Sequence, residues 1–245
     1  MKILYSIKSK TAKQIGEILN IPVVRDISRL NYNPDKIIRW GKTTFFDGCQ
    51  INTAEAVNRA SNKVLCRKLL REAQIPTPKP SESDFPVIGR PFKHHSGHGF
   101  YVCRSQEDIY EAKWKGAVYF SQYYPKRNEY RIHIADGKCI LMSIKCGNKN
   151  KRIWNKRKNG FKFRHMYRSE WLENEHLMDM VRTSKKAIKV LGLDFGAIDI
   201  LADAGEGFPP FVICEVNTAP ALSPLALSKY VRYFRRKLDP DYPII

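Results

Sequence analysis

Two apolar runs near the C-terminal end, A-I-D-I-L-A over 197–202 and F-V-I-C-E-V over 211–216, constrain this chain more than any other feature. Both are of strand length, and Gly205-Glu206-Gly207 lies between them, so an antiparallel pair is expected. Asp199 interrupts the first run, and a carboxylate buried in such a strand needs a partner. Glu215 and Asn217 are two apart and share one face of the second strand. The pairing brings Asp199 near both. Two carboxylates and an amide oxygen are hard ligands that suit Mg²⁺, which is usually held by a few carboxylates plus substrate phosphates. The same residues would also suit strand ends facing water or pairing with arginines.

The rest of the chain reads as a mixture of elements. Residues 2–7 are a short strand, Thr11 to Leu19 a helix, and Val23-Val24 and Asp35 to Trp40 two further strands, a small β-α-β start. Asn52 with Glu55 three residues on is a capping-box-like helix start, and a second start lies at Ser61 ahead of the stripe Val64, Leu65, Leu69, Leu70, Ala73. Proline stops that helix, and 76–86 reads as an extended connector. P-V-I-G-R-P-F, H-H-S-G-H-G and F-Y-V-C then give strand, glycine loop, strand. Ala117 to Tyr124, Tyr130 to Ile134 and Cys139 to Ile144 are strands, the last two joined by the hairpin signal Asp136-Gly137. Residues 145–168 are basic and turn-rich. Trp171 to Leu191 is a helix closed by Gly192, and Leu225 to Leu238 a basic amphipathic helix.

Composition limits the function classes. Lys plus Arg number 43 against 24 Asp plus Glu, a net charge of +19. Such a field attracts nucleic acid, anionic lipid, nucleotides or acidic peptides. Hydrophobic residues at 43% exclude a disordered chain. No apolar run reaches the roughly 18 residues of a membrane span, and the N-terminal apolar stretch is too short for a secretory signal. Six cysteines with no Cys-x-x-Cys pair are expected as free thiols in a reducing cytoplasm.

Two segments carry further candidate chemistry. Gly97 and Gly99 permit close backbone approach to a phosphate, though glycines between strands also simply make a turn. His94, His95 and His98 in the same loop resemble a zinc cluster but lack a cysteine or fourth ligand nearby. Lys145 to Arg168 holds ten Lys or Arg and no acid, interleaved with Trp154, Phe161, Phe163 and Tyr167. That is a solvated face, a nucleic-acid surface or an acidic-substrate surface.

V-I-C-E-V-N-T-A-P-A-L-S, with A-I-D-I-L upstream, resembles the closing signature of the ATP-grasp superfamily of carboxylate–amine ligases, and looks closest to the RimK-like branch that adds amino acids to peptides. The resemblance runs from about Asn52 to Pro224. It implies an α+β fold of two lobes clasping ATP, with a pre-ATP-grasp domain over 1–55, a small lobe over 56–120 and a large lobe over 121–245. It implies that Asp199, Glu215 and Asn217 hold two Mg²⁺ (or Mn²⁺) ions, with Glu215 bridging. Lys63, Arg90 (where the family usually has lysine), Gly97, Gly99 and Lys145 would face the nucleotide phosphates. Gln122, Tyr123 and Tyr124, after Ser121, would form the adenine hinge. Arg131, Arg152 and Asn155 would face the reacting carboxylate. Asn159-Gly160 is a reduced form of the family's glycine-rich step. The implied reaction activates a carboxylate as an acylphosphate and joins it to an amine, with an acidic peptide or protein as one acceptor. The rival readings are a nucleic-acid-binding or nucleic-acid-modifying protein on this fold, and an ATP-grasp kinase. A cytoplasmic protein without membrane contact is expected.

Overall fold

Strand-forming residues at period two build three sheets, and helices that start at polar caps cover them. The computed structural model describes residues 2–46, 48–91, 100–147 and 160–242. Gly97, Gly99, Arg152, Asn155 and the three loop histidines lie outside the described residues.

The first sheet is parallel, in the order β2 (Val23–Val24), β1 (Lys2–Ser6), β3 (Lys36–Trp40), β4 (Cys49–Ile51). Helix α1 (Lys10–Leu19) crosses from β1 to β2, its N-cap Ser9 accepting from the Ala12 amide.

The chain then enters α2 (Ala54–Ser61) and α3 (Lys63–Glu72). The expected cap at Asn52 moves by one residue: Thr53 accepts from the Ala56 amide instead. Asn52 sits at φ 63°. Its side chain is spent elsewhere, accepting from the amides of Asp194 and Phe195 and donating to the Phe195 carbonyl. The two helices are separated by Asn62, which caps α3 through the Leu65 amide.

The second sheet has the antiparallel order β6 (Tyr101–Cys103), β5 (Val87–Arg90), β7 (Tyr119–Gln122). Between β6 and β7 lies α4 (Gln106–Trp114), which the sequence reading did not identify. Only Ile109 and Ala112 are buried on it, so it carries almost no apolar period.

The third sheet places the site. Its antiparallel order is β10 (Lys162–Met166), β9 (Lys138–Cys146), β8 (Asn128–Ala135), β11 (Phe195–Ala202), β12 (Phe211–Asn217). Asp136 and Gly137 both have positive φ, as the β8–β9 hairpin requires. Strand β10 falls inside the segment expected to be turn-rich; its pairing with β9 decides the matter. The helix expected over 171–191 is two, α5 (Arg168–Leu172) and α6 (Glu175–Leu191), because Asn174 caps a new start. Gly192 ends α6 in the left-handed region as expected.

One face of this sheet is apolar. Tyr130, Ile132, Met142, Ile198, Ile200 and Ile213 pack against α2, α3 and α6. A Cβ at Gly196 would stand 2.9 Å from Ile188 Cδ1, so glycine there lets α6 lie close to β11. The other face is half covered. Helix α7 (Pro224–Leu238) lays Tyr230, Tyr233 and Phe234 over Phe195 and Ala135, together with Trp40 from the first sheet. Its uncovered half carries charge.

Candidate active site on the sheet face

Register sets the geometry. Asp199 pairs with Glu215 on one side and with Arg131 on the other, so all three point the same way. A shift in register between Asp199 and Ile200 places Cys214 as an extra residue beside Glu215. Such bulges re-aim side chains next to active sites.

Each carboxylate has an intramolecular partner. Arg131 grips Asp199 with two bonds, Nε to Oδ1 at 2.7 Å and Nη2 to Oδ2 at 2.8 Å. Asn217 Nδ2 donates to Asp199 Oδ2 at 3.2 Å, leaving its Oδ1 for another partner. Lys63 Nζ lies 2.9 Å from Glu215 Oε1. Burial works to raise the Asp199 pKa, but the charge and bonds of Arg131 outweigh it and hold the carboxyl below its ordinary value. Burial likewise opposes the charge of Arg131, yet Asp199 raises its pKa further.

Lys63 is the first residue of α3, so it meets Glu215 from a helix N-terminus, where anions are favoured. Arg67 stands one turn later on the same helix face. Its guanidinium lies 5.5 Å from the Tyr119 ring centroid and its Nη2 reaches the Cys214 carbonyl at 3.5 Å. Its buried Nε has no hydrogen-bond partner. Arg90, at the end of β5, stacks 4.4 Å from the Phe100 ring centroid. Burial depresses the Arg90 pKa, and Arg67, Cys214, Tyr119 and Glu215 are all near enough to act on it. Burial also pushes the Tyr119 hydroxyl up to about 12.

Sequence reasoning missed Arg67 and Glu129. Glu129 is two residues before Arg131 on β8, so period two alone put it on the charged face. It is buried, and Lys145 and Lys126 (3.0 Å) both pair with it. Phe163 from β10 covers Arg131 at 4.5 Å and Lys145 at 5.3 Å from its ring centroid. Lys63, Arg67, Arg90, Lys126, Arg131 and Lys145 thus face three carboxylates, Glu129, Asp199 and Glu215. The surplus is positive, and the site suits a polyanion.

A cavity of about 370 Å³ opens at the end of β7, walled by Ile75, Pro76, Pro78, Phe208, Pro209 and Val212 with Gln122 and Tyr124 at its edge. Tyr124 makes an edge-on contact with Phe208 and donates its hydroxyl to the Pro209 carbonyl. The Gln122 and Tyr123 amides donate to the Lys79 and Pro86 carbonyls, which ties the connector to the end of β7. The Tyr124 amide is left without a partner among the described residues.

The structure therefore joins Asp199, Glu215, Asn217, Lys63, Arg131, Arg90 and Lys145 on one face, with Gln122, Tyr123 and Tyr124 at its margin. Solved structures of low sequence identity share this fold over nearly the whole chain. The ATP-grasp ligase PsnB complexed with a minimal precursor superposes with a TM-score of 0.68 at 12% identity, covering 97% of this chain and 98% of its own. D-alanine–D-alanine ligase from Bacillus anthracis complexed with ATP gives 0.67 at 14% identity, covering 97% and 93%. This chain has the ATP-grasp fold. The macrocyclase MdnC bound with precursor peptide MdnA, from Microcystis aeruginosa MRC, gives 0.60 at 12% identity, covering 96% and 98%. No family model matches the sequence, and no curated protein matches it either. Among the described residues no group of three His, Cys, Asp or Glu forms a metal cluster. The described cysteines 66, 103, 139, 146 and 214 are free thiols, and no described helix is long and apolar enough to cross a membrane.

Proposed function

We propose that the protein is an ATP-dependent ligase that joins a carboxylate to an amine, in the manner of the RimK-like branch. The observation that carries this reading is the facing pair Asp199 and Glu215, ringed by more cations than it can neutralise. The nucleotide would lay its base in the hinge cavity, beside Tyr124, and its phosphates over Lys63, Arg67, Arg90 and Lys145. Asp199, Glu215 and Asn217 Oδ1 are oxygen donors on adjacent strands, and that chemistry fits Mg²⁺. The bound metal would neutralise charge as the γ-phosphoryl group leaves. PsnB has been solved with Mg and ADP, and the Bacillus anthracis ligase with ATP.

In this reading a substrate carboxylate oxygen attacks the γ-phosphorus and ADP leaves. The amine then attacks the acylphosphate carbonyl, forms the C–N bond and expels phosphate. Arg131, freed from Asp199, would stand between the γ-phosphate and the carboxylate that attacks it, and Arg152 and Asn155 would face the same carboxylate. The side chains work by position and charge; no protein nucleophile takes part. PsnB and MdnC are both complexed with precursor peptides. An acidic peptide or protein suits ten cations over 145–168, some of them serving as its approach surface.

Titration of purified protein with Mg²⁺ and AMPPNP tests the first step, and phosphate release against a panel of amino acids and acidic peptides tests the second. Release that depends on an added amine separates a ligase from a kinase. Neutralising Lys156, Arg157 and Lys158 should raise the acceptor KM and spare ATP binding. If the triple change instead flattens the salt dependence of DNA or RNA binding and leaves acceptor kinetics alone, the basic segment is a nucleic-acid surface.

A further inference from the structure

Both acidic members of the metal set are already engaged. Lys63 Nζ sits 2.9 Å from Glu215, and Arg131 uses one nitrogen on each Asp199 oxygen. Asn217 donates its amide hydrogen to the same carboxylate. A divalent ion would compete with these donors for the carboxylate oxygens, and it would meet two positive charges at hydrogen-bond range. We propose that Lys63 and Arg131 are internal counter-cations that keep divalent metal out of the nucleotide-free protein, and that the triphosphate admits the metal by drawing both side chains onto itself. This rests on the nucleotide reading above.

Exchange of partners makes the order physical. Removing one member of a buried pair strands the other charge, which is costly. A metal arriving first would strand Lys63 and Arg131, because the remaining carboxylate of the face, Glu129, is already paired with Lys126 and Lys145. A polyanion arriving with or before the metal gives each cation a new anion as the metal takes the carboxylates. Lys63 is placed for this. It projects on a flexible stem from the first turn of α3, outside the sheet, and Glu215 is 38% exposed.

Mn²⁺ is the probe, with free ion read by electron paramagnetic resonance on the full chain. Wild-type protein alone should bind Mn²⁺ at least about tenfold more weakly than its AMPPNP complex does, a contrast to which the triphosphate's own chelation contributes and which removal of Lys63 must narrow. Lys63→Met should bind Mn²⁺ alone about tenfold more tightly than wild type, while its AMPPNP affinity falls. Opposite movements are the signature, since a merely structural lysine would weaken both. Equal Mn²⁺ affinity with and without AMPPNP, or a well-folded Lys63→Met with unaltered Mn²⁺ affinity, overturns the proposal. Lys63→Gln gives the same test if the methionine variant does not fold. Failure of AMPPNP to bind wild type at any metal concentration removes the nucleotide reading and this inference together. AMPPNP binding with metal-first loading removes only this inference.

Discussion

The two faces of the five-stranded sheet are made from the same strands and behave oppositely. On β11, Ile198 and Ile200 turn into an apolar layer, while Asp199 between them turns to the charged side. On β8, Tyr130 and Ile132 flank Arg131 in the same way. The apolar face needs only shape and volume, and α2, α3 and α6 close over it. The charged face has polar groups that cannot be left without partners, so each side chain there is fixed by a named opposite. A strand can hold a buried ionic row at little cost to folding when its alternate residues carry the hydrophobic burden. Each such residue contributes roughly 1.5–3 kcal/mol.

Changes on one face should therefore spare the other. The largest effect is expected from Ile198→Ala, which removes a fully buried side chain beneath α6. Unfolding stability should fall by about 2–5 kcal/mol in a denaturant titration, with nucleotide affinity of the folded fraction little altered. A parallel loss of affinity would mean the faces are not separable. Glu215→Gln is the converse. The swap is nearly isosteric and should leave stability within about 1 kcal/mol. It should cut turnover by about 10²–10³, the range seen when a charge aimed at developing charge is removed. Turnover within about twofold of wild type would sink the metal assignment.

At the border of the covered and open halves stands His133, 3.2 Å from the Tyr230 hydroxyl. Burial, helped by the neighbouring Arg131 and His165 and opposed by Asp199, pushes its pKa down to about 3 from the usual 6.5. The ring stays neutral when folded and takes a proton when unfolded. Stability attributable to it is intact above about pH 6.5 and falls as pH drops toward 3, by about 1.4 kcal/mol per unit. His133→Gln, compared with wild type at matched pH, should remove that slope. An unchanged slope would show the acid sensitivity to lie in the carboxylates alone.

The charged face was legible where a charge broke an apolar run. Asp199 and Glu215 stand out in that way, and Gly205 and Gly207, both at positive φ, supply the turn that pairs their strands. Glu129 was hidden because N-E-Y-R-I-H alternates with charge in every second place, so no single residue stands out. Arg67 was hidden because helix α3 carries three further cations, and a helical arginine is ordinarily solvated. The shift of the cap from Asn52 to Thr53 was unreadable for another reason. Asn52 is claimed by Asp194 and Phe195, 142 and 143 residues away, and no local pattern reports a partner at that distance. The same holds for β10, whose basic sequence is a strand only because β9 pairs with it.

Arg67 offers the sharpest small test. It belongs to the charged face by position but lacks what its neighbours have, since among the described residues no carboxylate pairs with it and its buried Nε bonds to nothing. A buried donor left unsatisfied costs about 1–3 kcal/mol. If Arg67 waits for a phosphate, Arg67→Met should hold stability nearly level, because losing the unsatisfied donor offsets losing the guanidinium's contact with the Tyr119 ring. AMPPNP affinity should fall about tenfold, which is roughly 1.4 kcal/mol. Arg67→Lys should fall between the two, since it keeps the charge and loses the planar fork that matches phosphate. Calorimetric titration gives the affinity, and a denaturant curve on the same samples gives the stability. A methionine variant that loses stability and keeps its nucleotide would place Arg67 with the packing residues, and the division between the two faces would then run below α3 instead of through it.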